Sequence, residues 1–141
     1  QGVDASADAG TLAMHNQQSL GIANVRIYQS DWFSAIAAQR FDLIVSNPPY
    51  IDESDPHLSV GDVRYEPLSA LVAKDNGLAD IDHIIAQARA YLHPGATLML
   101  EHGFEQGQAV RQLLTNYGYV NARTVVDLGQ NERITLAEYT T

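Results

Sequence analysis

The chain holds 141 residues, 45% of them apolar, with 17 acidic against 8 basic side chains and a net charge of −9. That suffices for one domain, or part of a larger one, with an ordinary core. It is too apolar for disorder, and the field it sets up repels phosphate backbones, which argues against direct nucleic-acid binding. Cysteine is absent and no two of the five histidines stand at i, i+4 spacing. Disulfide scaffolds and thiolate metal sites are thereby excluded, zinc is disfavoured so that no metal is expected, and a reducing, cytoplasmic setting fits. The apolar runs are far short of a membrane span.

The chain opens Gln1-Gly2-Val3-Asp4 without an initiator Met, and Val3 and Asp4 read as the end of a strand, so the sequence is expected to start inside a fold. Residues 6 to 20 predict a helix: Ser6 can cap it, Asp8 sits in its first turn, Gly21 follows its end, and Leu12, Leu20 and several alanines make a thin apolar stripe. Residues 25 to 28 predict a strand, followed by Ser30-Asp31-Trp32-Phe33 and a short helical turn to about Ala38. Phe41 to Ser46 carries a continuous apolar run, Leu43 to Val45, which predicts a central, parallel strand.

Residues 47 to 76 read as a long loop, a length that usually serves function. Asp75-Asn76-Gly77 signals a turn. Leu78, Ile81, Ile84, Ile85, Ala88, Tyr91 and Leu92 predict a helix over 78 to 92, stopped by His93-Pro94-Gly95. A strand over 96 to 100 ends in Glu101-His102-Gly103; a helix over 105 to 117 is closed by Gly118; and strands over 119 to 127 and 133 to 139 pair as a hairpin. Such alternation predicts an α/β fold: a mostly parallel, Rossmann-like sheet with an antiparallel terminal hairpin and ligands at the carboxyl ends of its strands. Asp4, Asp31-Trp32 and Asn47 each stand at such an end.

Asn47-Pro48-Pro49-Tyr50 is the most specific stretch; average residue usage gives it to roughly one chain in a few thousand of this length by chance. The prolines freeze the backbone and bring no N–H to compete for its carbonyls. Asn47 Oδ1 and the Pro48 carbonyl are then two acceptors suited to the two hydrogens of a planar NH₂ group. The nitrogen of such a group is a poor nucleophile because its lone pair is delocalised. Holding both hydrogens directs the lone pair at an electrophile and lets charge flow to the acceptors, with no strong base required. Tyr50 can lie against a flat group or near a cation.

This stretch resembles the methylation motif of S-adenosylmethionine-dependent methyltransferases acting on planar nitrogens. With "QSDWFSAI" before it, "NPPYIDESDPHL" through it, "GDVRYEPLSALVA" and "LEHGFEQGQAV" after it and the terminal "GQNERITLAEY", the chain is similar to the HemK/PrmC family of release factor glutamine methyltransferases along nearly its whole length. The resemblance implies a class I methyltransferase sheet, S-adenosylmethionine as cofactor with S-adenosylhomocysteine as product, and class 1 peptide chain release factors as partners, methylated on the glutamine of their Gly-Gly-Gln motif. It implies that Asp4 accepts from the cofactor ribose and that Trp32 packs on adenine, with Asp31 beside it to accept from the adenine amine. Asn47 is implied to serve cofactor and substrate, and Pro48, Pro49 and Tyr50 to complete the substrate corner, with Asn47, Pro48 and Tyr50 closest to the chemistry. The family's N-terminal helical domain, first strand and glycine-rich loop have no counterpart in these residues, so 1–141 is expected to be a partial catalytic domain with exposed strand edges, a rearranged sheet or self-association, and cofactor affinity in question.

The remaining candidates have plainer readings. Asp52, Glu53 and Asp55 read as a solvated acidic loop. Arg64 and Glu66 read as residues of the long loop, with contact to a substrate backbone as the lesser alternative. Glu101-His102 reads as structural, because the chemistry needs no base, and His57 and His83 read as lacking partners. A DNA adenine methyltransferase would share the motif, stacking a flipped base on Tyr50, but should carry a basic track; a ribosomal-protein glutamine methyltransferase or an inactive structural fragment are further alternatives.

Overall fold

The structure, a computed structural model, describes residues 1–55, 58, 64, 65 and 67–141. The chain forms two compact units, Gln1–Gln39 and Arg40–Thr141. In the first, β1 (Gly2–Asp4) and β2 (Ile27–Gln29) pair in parallel with Asp4 opposite Gln29, joined through α1 (Ala7–Ser19). Ser6 caps α1 by accepting from the Ala9 N–H at 3.3 Å, and Gly21 takes the left-handed conformation past its end. The apolar stripe of α1 stays in solvent, with Leu12 61% and Leu20 72% exposed. The helical turn expected after Trp32 does not form. Trp32 is left-handed, and Asp31 O accepts from Ser34 and Phe33 O from Ile36 in successive tight turns.

The second unit contains a four-stranded sheet in the order β3-β6-β8-β7, from β3 (Phe41–Ser46), β6 (Leu92–Glu101), β7 (Val120–Val126) and β8 (Glu132–Glu138). β3 and β6 run parallel, and β8, the last strand, lies antiparallel between β6 and its hairpin partner β7, as the sequence predicts for it. Within this unit β3 is not central but stands at the edge of the sheet, with β6 as its one neighbour among the described residues. Leu43 and Val45, on one face of the strand, are 51% and 63% exposed, so its apolar run does not mark burial on both sides here. His93-Pro94-Gly95 does not simply stop a helix; it lies within β6. Phe41 pairs with Leu92 but Leu43 with Thr97, so the three residues form an irregular stretch in which Gly95 is left-handed and donates its N–H to Tyr139 O.

The loop over 47 to 76 is partly ordered into β4 (Ile51–Asp52) and β5 (Val72–Ala73), which pair in parallel, a 3-10 turn at Leu68–Ala70 and the single turn α2 (Lys74–Gly77). Helices α3 (Ala79–Ala88) and α4 (Gly107–Asn116) complete the unit. Ile81, Ile84, Ile85 and Ala88 form the buried face of α3; with Leu92, Leu98 and Leu100 of β6 and Val110 and Leu114 of α4 they are the core. Each such leucine contributes about 1.5–3 kcal/mol by leaving water. No described helix is long and apolar enough to cross a membrane.

Candidate functional site

In the first unit, Asp4 ends β1 and Asp31 and Trp32 follow β2, so the parallel pairing sets them at one end of the two strands. Ser30 N–H donates to Asp4 O at 3.0 Å. The buried Ser30 hydroxyl donates to Trp32 O at 2.8 Å and accepts from Ala35 N–H at 3.0 Å, which holds the turn that carries the indole. Trp32 has φ +49, a conformation that costs a non-glycine residue of order 1–3 kcal/mol and tends to occur where a side chain must be aimed. Asp4 is exposed, and its Oδ1 accepts from Ser6 N–H at 2.7 Å. A carboxylate has further acceptor capacity beyond that one bond. Asp31 is exposed and Trp32 half-buried.

In the second unit, the parallel ladder carries β3 to Ser46 opposite Leu100, and the next residue is Asn47. Asn47 is exposed while Pro48 is buried and Pro49 and Tyr50 are half-buried. Among the described residues nothing hydrogen-bonds to the Asn47 carboxamide or donates to the Pro48 carbonyl. Tyr50 is fixed on several sides. Its N–H and that of Ile51 donate to Leu71 O at 3.2 and 2.9 Å, and its hydroxyl donates to Glu101 Oε1 at 3.2 Å. Burial, and then the Glu101 carboxylate, push the phenol above its ordinary range, so it stays neutral. The backbone carbonyl of Tyr50 accepts from Gln106 Nε2 at 3.0 Å.

Glu101 thus contacts the motif, whereas the side chain of the next residue, His102, is buried. His102 Nδ1 lies 2.8 Å from Gly103 O and must carry the proton, since a carbonyl only accepts. Nε2 therefore accepts from Thr135 Oγ1 at 2.8 Å; Thr135 accepts from Thr124 at 2.7 Å, and Thr124 from Arg111. Desolvation lowers the His102 pKa below the usual imidazole value. Both ring nitrogens are engaged inside the protein, in keeping with a structural role.

Among the lesser candidates, Asp52 Oδ1 accepts from the Ser54 N–H and hydroxyl, which lower its pKa and make it a turn residue. Arg64 lies over the Tyr65 ring at 4.6 Å and donates to its hydroxyl at 2.7 Å. His83 does have a partner, sharing a hydrogen bond with Gln87 at 2.9 Å. Glu53 is exposed. His57 and Glu66 lie outside the described residues. Sequence reasoning missed Ser30 and Gln106. Asn76-Gly77 was legible as a turn, but nothing in the string separates Gln106 from a surface glutamine.

Comparison with known proteins bears on the family and the fold. The methyltransferase domain family matches residues 1–140. The chain is similar to the release factor glutamine methyltransferase of Escherichia coli, 59% identical over 137 residues that make up 97% of this chain and 50% of that protein. It is also similar to that of Vibrio cholerae, 51% identical over 141 residues, 99% of this chain and 49% of that protein. The chain spans about half the length of these curated relatives. Among solved structures, a methyltransferase from Pyrococcus furiosus superposes with TM-score 0.73 at 16% identity, covering 99% of this chain and 61% of that one. A release factor-specific protein-(glutamine-N5) methyltransferase from Alicyclobacillus acidocaldarius gives 0.51 at 22%, covering 99% and 78%. At those identities the superpositions speak for the fold, the class I methyltransferase architecture. With its strand order, its terminal hairpin and a match along almost its entire length, the chain belongs to the methyltransferase domain family.

Proposed function

We propose that this chain is part of an S-adenosylmethionine-dependent enzyme that methylates the side-chain amide nitrogen of a glutamine, the one in the Gly-Gly-Gln motif of class 1 peptide chain release factors, in the cytoplasm. The observation that carries it is the exposed Asn47 carboxamide, uncommitted among the described residues, at the end of β3 and directly before the buried Pro48. The similarity to release factor glutamine methyltransferases supports the substrate, and the net charge of −9 disfavours duplex DNA as the alternative.

Asn47 Oδ1 and the Pro48 carbonyl accept the two amide hydrogens and orient the nitrogen lone pair. Charge that develops on the nitrogen drains into these two preorganised dipoles, and the hydrogen that the methyl replaces leaves as a proton to water, so no strong base is needed and His102 stays out of the reaction. Pro49 restricts the corner, and Tyr50, kept neutral, offers its ring to the planar amide. The first unit suits an adenosine: Asp4 and Asp31 are exposed acceptors for hydroxyl or amine hydrogens, and Trp32 is an aromatic surface held in a strained turn. When bound, S-adenosylmethionine supplies a methyl group on a positively charged sulfur.

The test is transfer of labelled methyl from S-adenosylmethionine by the longest natural polypeptide carrying this sequence. Purified release factor and adenine-containing DNA are offered separately, with Asn47→Ala alongside. Label on the release factor glutamine, reduced about 100-fold or more in the variant, is expected. Label on DNA alone, or on neither, overturns the substrate assignment.

A further inference from the structure

Gln106, at the N-cap of α4, uses its whole carboxamide to join three segments. Nε2 donates to Tyr50 O at 3.0 Å and to Asn76 O at 2.9 Å, while Oε1 accepts from Gly103 N–H at 2.7 Å. Both amide hydrogens and the oxygen are therefore committed. The segments it joins are the exit of the Asn-Pro-Pro-Tyr corner, the left-handed run Asp75-Asn76-Gly77, and the loop that follows β6. The fit leaves no slack: a Cβ built on Gly77 would overlap the Tyr50 carbonyl oxygen and lie 2.7 Å from Gln106 Nε2.

The corner's other end is held by the β3–β6 ladder through Ser46. Between Ser46 and Tyr50 lie Asn47 and two prolines whose φ angles are fixed by their rings. A corner pinned at both ends with a stiff middle has little freedom left, and the position of the Asn47 carboxamide follows from the position of the Tyr50 backbone. We propose that Gln106 is a positioning residue for methyl transfer. It touches neither cofactor nor substrate; by gripping the Tyr50 carbonyl it keeps Asn47 Oδ1 and the Pro48 carbonyl converging on the target nitrogen. This rests on the glutamine-methylation reading above.

Two substitutions separate positioning from mere packing. Gln106→Met keeps length and removes the polar atoms. Gln106→Glu sets a carboxylate against two carbonyl oxygens, so the grip is lost while the carboxylate is ionised and one donor returns when it is protonated. Both variants and the unchanged protein, in the longest natural polypeptide carrying the sequence, are assayed for methyl transfer to purified release factor. Amide hydrogen exchange is followed in peptides covering residues 47–52.

Gln106→Met is expected to lower kcat about 10- to 100-fold with KM for the release factor within about twofold, and to speed exchange over 47–52. Gln106→Glu is expected to behave alike at pH 8 and to recover, relative to the unchanged protein, as pH falls toward 6. A folded Gln106→Met with unchanged kcat, or one altered only in KM, overturns the proposal. If that variant does not fold, a pH-independent ratio of Gln106→Glu to unchanged activity overturns it instead. Absence of glutamine transfer by the unchanged protein, with exchange over 47–52 still faster in Gln106→Met, overturns the substrate reading while supporting the grip on the corner.

Discussion

Replacing Gly77 by Ala should damage the protein twice over, and the two effects can be separated. Gly77 has φ +78, which costs a residue with a Cβ about 1–2 kcal/mol. The added Cβ would also overlap the Tyr50 carbonyl, a backbone group that the Leu71 and Gln106 hydrogen bonds prevent from moving aside. Overpacking of this kind adds about 1–3 kcal/mol, for a total of about 2–5. Gly118 supplies the control, because it is left-handed at φ +85 with nothing within 4 Å of a built Cβ. Gly118→Ala should therefore lose only the conformational part, about 1–2 kcal/mol. Urea denaturation followed by far-UV circular dichroism gives both numbers. With an m-value of about 1–3 kcal/mol/M, the midpoint of Gly77→Ala should fall clearly further than that of Gly118→Ala at unchanged m. Equal shifts in the two variants would refute the collision, and with it the claim that Tyr50 is held rigidly from behind. Methyl transfer should follow the same order, Gly77→Ala falling well below Gly118→Ala.

Two other outcomes are expected. The His102 pKa is lowered in the folded state, so the unfolded chain binds more protons just below the ordinary imidazole value; stability from this residue is complete above about pH 6.5 and falls as pH drops through and below it. Urea midpoints between pH 7 and 5 should decline less steeply in His102→Asn, and an unchanged slope would assign the acid sensitivity elsewhere. Separately, the edge of β3 that is unpaired among the described residues of the second unit, with Leu43 and Val45 exposed, should favour association of copies of this chain. Val45→Lys should lower the mass seen by analytical ultracentrifugation at rising concentration, and a concentration-independent monomer in the unchanged chain would rule out edge pairing.

Elements defined by local pattern were legible in the sequence. α3 follows from the spacing of Ile81, Ile84, Ile85 and Ala88, and the β7–β8 hairpin from its turn residues. The bounds of β3 follow from its apolar run and the prolines beyond it, but its place in the sheet does not, because an apolar run reports composition rather than neighbours. The start of β6 was hidden by Pro94 and Gly95, which read as a stop although the strand passes through them with an irregularity. The Asn-Pro-Pro-Tyr corner stands out in the sequence because two consecutive prolines directly behind an apolar strand are unusual. Gln106 could not, since its role lies in contacts with Tyr50 and Asn76, which stand far from it in the chain. Ser30 was equally silent, its hydroxyl serving a turn whose shape is set by a left-handed Trp32.

The small parallel ladder of β4 and β5 has a consequence for how such a protein can change over time. Leu71 O receives both the Tyr50 and Ile51 N–H groups, and Ile51 and Asp52 pair with Val72 and Ala73. The chain between Asp52 and Leu68 is thereby closed off at its base, like a cord tied at the neck. Closing such a stretch becomes only about 0.6 kcal/mol costlier when its length doubles. Insertions and deletions there can consequently accumulate with little effect on the shape of the corner behind the knot. The length of that stretch can vary while the Asn47 and Pro48 oxygens on the other side of the knot stay as they are.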